Sequence, residues 1–186
     1  PGIPKYQGTR PYQQVLFQYS LHINQTEDSE LQHEEYLAVP NKDPRIGFIE
    51  QLISECGDSG DILVYNIGFE RGRLNELIEQ FPYYKASLQS IVSRLKDLMV
   101  PFQNKWYYTP EMKGRYSIKN VLPALVPDLT YDTLNIKEGG MASSTFLSMV
   151  NNTFKGNESN VRDDLKEYCK RDTYAMVRIL EKLKDL

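Results

Sequence analysis

Residues 61–74, DILVYNIGFERGRL, decide the fold. The apolar run DILVY (61–65) follows a Gly/Asp turn and reads as a short strand buried on both faces. A helix follows from about Phe69 to Gln80, with Leu74, Leu77, Ile78 and Phe81 as its inner stripe. A buried strand feeding an amphipathic helix is the unit of a layered α/β domain. Asn66 stands at the carboxyl end of this strand, where α/β sheets tend to bind ligands. Glu70, one turn on, projects among the apolar residues of the stripe.

Working outward, residues 14–24 (QVLFQYSLHIN) place Val15, Phe17, Tyr19, Leu21 and Ile23 on one face of a half-buried strand. A polar loop, 24–32, leads to a second strand near 34–39 and closes an antiparallel hairpin. Asp43-Pro44 opens a helix whose stripe is Ile46, Ile49, Leu52, Ile53 and Cys56, ended by Gly57. Downstream, 85–96 is helical and 100–116 is irregular and aromatic. Ser117 caps a short helix, Gly139-Gly140 reads as a turn, Met141–Val150 is helical, and 151–159 is a loop. The longest helix runs from Asn160 to Leu186, capped by Ser159 or Asn160. The order β-β-α-β-α followed by helices predicts one α/β domain with a mixed sheet flanked by helices.

The 186 residues carry a net charge of −3, with 40% hydrophobic residues, two cysteines, 11 Gly and 10 Pro. This composition excludes disorder, collagen-like repeats and a disulfide framework, and no apolar run reaches the ~20 residues of a membrane span. A cytoplasmic location is the expectation. Without a basic excess, any nucleic-acid contact must rest on a local basic rim or on bound metal. No phosphate-binding loop appears, and His22 and His33 lack metal-ligand spacing.

The last helix repeats the anomaly of Glu70. Leu165, Cys169, Met176, Ile179, Leu180 and Leu183 form its apolar stripe, and Asp172 falls near the middle, one turn after Tyr168. A buried carboxylate needs a cation, strong donors or a proton. Two inward acids on different helices are candidates to converge on a divalent ion. A plainer reading stands beside it: Asp172 is ion-paired or capping, and Glu70 favours its helix dipole.

Asn66-x-x-Phe69-Glu70 after a buried strand, with Tyr168-x-x-x-Asp172 on a late helix, resembles the second and third motifs of the DEDD 3′–5′ exonucleases, tyrosine subclass. More closely, GTRPYQQVLFQYSLHI (8–23), YNIGFERGRL (65–74), GRYSIKNVLPALVP (114–127) and YCKRDTYAMVRIL (168–180) look like an uncharacterised bacterial domain family assigned to that superfamily. The resemblance implies a ribonuclease H-like fold and hydrolysis of terminal phosphodiesters at a single-stranded 3′ end, with two Mg²⁺ or Mn²⁺ ions. It assigns metal binding to Asp172 and Glu70 and water orientation to Tyr168. Asn66 would position Glu70 or touch substrate, with Phe69 beside it.

Two departures matter. Glu70 stands where the superfamily has Asp, and the first motif, Asp-x-Glu on a first central strand, is missing: no acid precedes Glu27. The chain thus reads as an inactive fragment excised from a longer protein. A gap in its sheet is expected, filled by the N-terminal segment, a crystal neighbour or a dimer partner through strand exchange. Val15–Ile23 paired directly with Asp61–Tyr65 would refute that.

For substrate, Lys113, Arg115 and Lys119 interleave with Tyr107, Tyr108 and Tyr116 as a basic-aromatic segment, and Arg71 and Arg73 flank Glu70. All of these also read as a solvated charged face. Asp97 resembles an acid of the superfamily's middle region and reads as structural. The alternatives to an enzyme are a non-catalytic nucleic-acid-binding or scaffolding module with the same fold, and a protein-interaction domain.

Overall fold

The computed structural model describes residues 4–26 and 29–185. The first three residues of the amino-terminal segment, Glu27 and Asp28 of the 24–32 loop, and the last residue of the expected final helix lie outside the described residues. The elements are β1 (Gln18–Ile23), β2 (Gln32–Leu37), α1 (Arg45–Cys56), β3 (Ile62–Val64), α2 (Ile67–Gln80), α3 (Lys85–Arg94), β4 (Leu95–Asp97), α4 (Val100–Gln103), α5 (Ile118–Leu125), α6 (Gly139–Val150) and α7 (Glu158–Lys184). The class is mixed α/β.

β1 and β2 pair antiparallel from Gln18↔Leu37 to Ile23↔Gln32, the expected hairpin. β3 pairs in parallel with β4, Ile62 opposite Leu95. β4 occupies what reads in sequence as the end of a helix over 85–96. Three residues are too few to show a period of their own. Arg94 explains their course. Its guanidinium donates to the carbonyls of Ser59 (2.6 Å), Gly57 (2.7 Å), Gly60 (3.1 Å) and Cys56 (3.2 Å), binding the turn before β3 to the end of α3. Leu95 then drops into the core.

The sheet is not continuous. β1–β2 and β3–β4 are separate two-stranded ribbons. Val15–Ile23 does not pair with Asp61–Tyr65, and the expected single mixed sheet is split between β1 and β3. The carboxyl-terminal half of β1, the first residues of β3 and the second half of α7 enclose a cavity of about 570 Å³ there. Residues on β3, read as buried on both faces, are in consequence only half-buried.

Helices cover both faces. Phe48, Ile49, Leu52, Leu74, Leu77, Leu88, Ile91 and Leu95 form a core between α1, α2 and α3, reached by Tyr19, Leu21, Ile62 and Val64. On the opposite face Val121, Leu122, Ala175 and Ile179 of α5 and α7 meet Leu63 and Tyr65. A third cluster joins α6 to the start of α7, where Phe17 stacks on Phe146 at 4.3 Å.

Three local readings are corrected. The inward face of α1 is rotated: Arg45 and Phe48 are buried, whereas Ile46 is exposed. The reason is that Arg45 is fully engaged inside. It binds Asp43 through Nε (2.9 Å) and Nη2 (2.6 Å), donates to Gln80 (2.8 Å) and the Gln7 carbonyl (2.7 Å), and lies over Phe81. Second, α7 starts earlier, with Asn157 as its cap accepting from the Asn160 amide at 3.2 Å. Third, Gly139 and Gly140 begin α6 rather than forming a turn.

Candidate functional site

Asp172 sits on the inward side of α7 with two phenols at its carboxylate. Tyr131 donates to Oδ1 at 2.7 Å, and the hydroxyl of Tyr168, one turn back on α7 and itself buried, lies close by. Burial is the larger influence and raises the Asp172 carboxyl above the usual range. The two tyrosine hydroxyls and the Lys119 charge work the other way. Both phenols are pushed far above their ordinary value by burial first and by Asp172 second. They therefore stay protonated and act as donors. A phenol in this state is no general base.

Lys119 joins this cluster from α5. Its ammonium bonds the Lys137 carbonyl at 2.8 Å and lies 5.9 Å from the Tyr131 ring centre. Arg171 fixes the loop carrying Tyr131 by donating to the Thr130 carbonyl at 2.8 Å and pairing with Glu167 at 3.0 Å. Gly139, at the start of α6, lies against the Tyr168 hydroxyl. Tyr131 was not visible as a site residue in sequence, because it lies on an irregular segment without periodicity. The signal that could have found it is chemical: a buried acid demands donors, and a tyrosine in a loop is one of few groups that supply them without a charge.

Glu70 is placed by a different device. The Asp97 carboxylate accepts from the backbone amides of Ile67 (2.9 Å), Asn66 (3.0 Å) and Met99 (2.9 Å). This holds Asn66 in a left-handed conformation (φ 77°) and caps the start of α2. Asp97 is thus structural, as expected. Glu70, in the first turn, is half-buried, and desolvation raises its carboxyl. Cys169 lies within electrostatic reach of both acids, and its thiol is raised by burial first, then by Asp172 and Glu70. Both acids therefore flank the same stretch of α7, although Glu70 shares no hydrogen bond with the Asp172 cluster.

The other candidates divide. Arg73 is committed inside the protein, to Glu76 (2.9 Å) and Gln14 (3.0 Å), with its guanidinium over Phe69. Phe69 is half exposed, Asn66 is exposed, and Arg115 lies exposed on the 113–117 turn beside Tyr116. Met112 buries the base of that turn, whereas Trp106 and Tyr108 stand out from the surface. Among the described residues no three His, Cys, Asp or Glu side chains stand close enough to hold an ion. No helix among the described residues is long and apolar enough to cross a membrane.

Fold and site together define a mixed α/β protein that carries a half-buried Asp–Tyr cluster on its last helix. The chain belongs to the family described as a domain of unknown function (DUF2779), whose model matches residues 1–117. Asn66, Phe69 and Glu70 lie inside the matched segment; Tyr131, Tyr168 and Asp172 lie beyond it. The chain is similar to uncharacterised protein MG366 of Mycoplasma genitalium, 33% identical over 147 residues, covering 72% of this chain and 22% of the relative. It is 29% identical over 150 residues to the MG366 homologue of Mycoplasma pneumoniae, covering 74% of this chain and 22% of that protein. Uncharacterised protein UU173 of Ureaplasma parvum is 28% identical over 134 residues, 63% of this chain and 19% of its own length. The chain thus spans about a fifth of these relatives. No solved structure matches it.

Proposed function

We propose that these residues form the larger part of a ribonuclease H-like, metal-dependent 3′–5′ exonuclease domain of the DEDD type, working on single-stranded DNA or RNA. The observation that carries the reading is Asp172: a half-buried carboxylate on the core side of a helix, without an ion-pair partner in contact, beside Tyr168 in the spacing of the third exonuclease motif. An acid kept in so costly a place points to chemistry rather than to packing. Tyr168 orients groups around Asp172 as a protonated donor. Lys119 and Arg115, with Tyr116 and Tyr108, offer a cationic and stacking rim for a phosphate backbone. The two first-motif carboxylates that the resemblance implies for Mg²⁺ or Mn²⁺ are missing from these 186 residues, so this chain alone is expected to cleave little or nothing.

One observation favours a second reading, a non-catalytic nucleic-acid-binding module. Both phenols are spent on Asp172, as in a structural network with no further ligand to hold. The test is an assay on 3′-end-directed degradation of labelled single strands with Mg²⁺ or Mn²⁺, using the chain extended upstream by the residues of its own gene. Laddering from the 3′ end that vanishes in Asp172→Ala supports the enzyme. Strand binding without cleavage supports the module, and neither result refutes both.

A further inference from the structure

Trp106 is the single tryptophan of the chain, and it is 73% exposed. A side chain with so much apolar surface is normally withdrawn from water over most of its area. The turn after α4 holds it outside. The Pro101 carbonyl accepts from the amides of Trp106 (2.9 Å) and Tyr107 (3.2 Å), and Lys105 takes a left-handed conformation, φ 57°, unfavourable for a residue with a Cβ. Inside the turn Phe102 is buried, and the Tyr107 ring meets it at right angles with centres 6.1 Å apart. Met112 is buried a few residues on. The segment is thus fixed from within, and its outer side displays aromatic surface.

Exposure alternates along it: Trp106 and Tyr108 stand out, whereas Tyr107 and Thr109 turn in. Two residues of backbone span at most about 7 Å. Successive bases of a strand lie about 3.4 Å apart, so two rings set by that span can take one base between them. Charge points to the same class of partner. Residues 100–127 carry Lys105, Lys113, Arg115 and Lys119 against Glu111 alone, in a chain whose net charge is −3. Lys105, Lys113 and Arg115 are exposed and enter no ion pair among the described residues. A cationic strip on an acidic protein complements a polyanion, and rings beside it select one that presents unpaired bases. The segment also adjoins the candidate site. The Tyr65 hydroxyl, next to Asn66, donates to the Tyr116 carbonyl at 2.6 Å.

We propose that Trp106 and Tyr108 clamp one unpaired base of a single strand whose phosphates are held by Lys105, Lys113 and Arg115. The clamp is a site separate from the Asp172 cluster. It rests on the nucleic-acid part of the proposed function and not on its metal chemistry.

Because Trp106 is the only tryptophan, its fluorescence reports this site alone. Titrating the 186-residue chain, without divalent metal, with oligo(dT) and oligo(U) of about 12 nucleotides is expected to quench it. An abasic strand of the same length and polyglutamate are expected to leave it unchanged. By anisotropy of a labelled strand, Tyr108→Ala and Trp106→Leu should each weaken binding about 5- to 150-fold, and Trp106→Phe should keep most of the affinity. Urea unfolding of these surface variants checks that each is folded. Strand binding without quenching, or with equal affinity in Trp106→Leu, overturns the clamp; the exonuclease reading survives, since laddering and Asp172→Ala decide it. Quenching by single strands with no laddering from the upstream-extended chain supports the clamp and removes the enzyme. Equal quenching by polyglutamate, or no binding of either strand, also overturns the clamp.

Discussion

Replacing Asp172 by Asn is expected to leave the chain as stable at neutral pH, or more stable by about 1 kcal/mol, despite loss of a half-buried, hydrogen-bonded carboxylate. Two effects compete. A hydrogen bond to an ionised carboxylate contributes about 1.5–3 kcal/mol; Tyr131 supplies one, and the Tyr168 hydroxyl beside it adds to the same effect. Withdrawing the charge from water costs several kcal/mol. Because the Asp172 carboxyl is raised, with burial as the first cause, desolvation outweighs both phenols and the Lys119 charge. The sign follows by linkage. Ionisation is harder in the folded chain than in the unfolded one, so folding is favoured most below the 3.8 of an exposed aspartate and loses stability as pH rises through the folded value. Asparagine has no charge to desolvate and retains an oxygen for one phenol. Tyr131→Phe does the reverse: it leaves the carboxylate and removes a donor, and should cost about 1.5–3 kcal/mol near pH 7 and less in acid. Urea unfolding of the three proteins across this pH range is the assay. An Asp172→Asn variant destabilised by more than about 1 kcal/mol near pH 7 would refute the reasoning, since the charge would then be a net stabiliser.

Arg45→Met leaves the exposed Asp43 without its cation and Gln80 and Gln7 without a donor, so chemical unfolding should show a loss of about 1–3 kcal/mol. His22 is pushed down to about 4, by burial first and then by His33 and Lys170. His33 is lowered as well, burial again first. Their neutral forms therefore contribute stability above the unfolded value, lost as pH falls from 6.5 toward 4, and His22→Gln should flatten that limb of a pH–stability profile. Lys119→Ala should weaken single-strand binding and lower the salt slope by about 0.7, measured by fluorescence titration at several salt concentrations; an unchanged slope would remove Lys119 from the phosphate rim.

The hairpin, α1, α2 and α7 were legible because each carries a strong period and a stop signal: alternation through Leu21 and Ile23, Gly57 after Cys56, a long apolar stripe through Leu165 and Ile179. The two inward acids were legible for the converse reason, as violations of that period at Glu70 and Asp172. What escaped is held by single polar contacts that have no period. Arg45 turned α1 inward through Asp43, Arg94 diverted the end of α3 into β4, and Tyr131 reached Asp172 from an irregular loop. The cavity belongs to a third category. Its position between β1 and β3 followed from the resemblance to the exonuclease superfamily, whose first central strand is missing from these residues. The missing strand also bears on the two acids. Glu70 follows β3, and Asp172 lies on α7 with Tyr131 and Tyr168, both acids within electrostatic reach of Cys169. Closing the sheet would dry their surroundings further and raise both carboxyls, unless the incoming segment brought donors or an ion with it. Comparing the Asp172→Asn stability difference in the short and extended chains decides between those outcomes. A larger advantage for Asn in the extended chain means a drier, unpartnered acid, and a reversal to net loss means that the carboxylate has gained the partner its position demands.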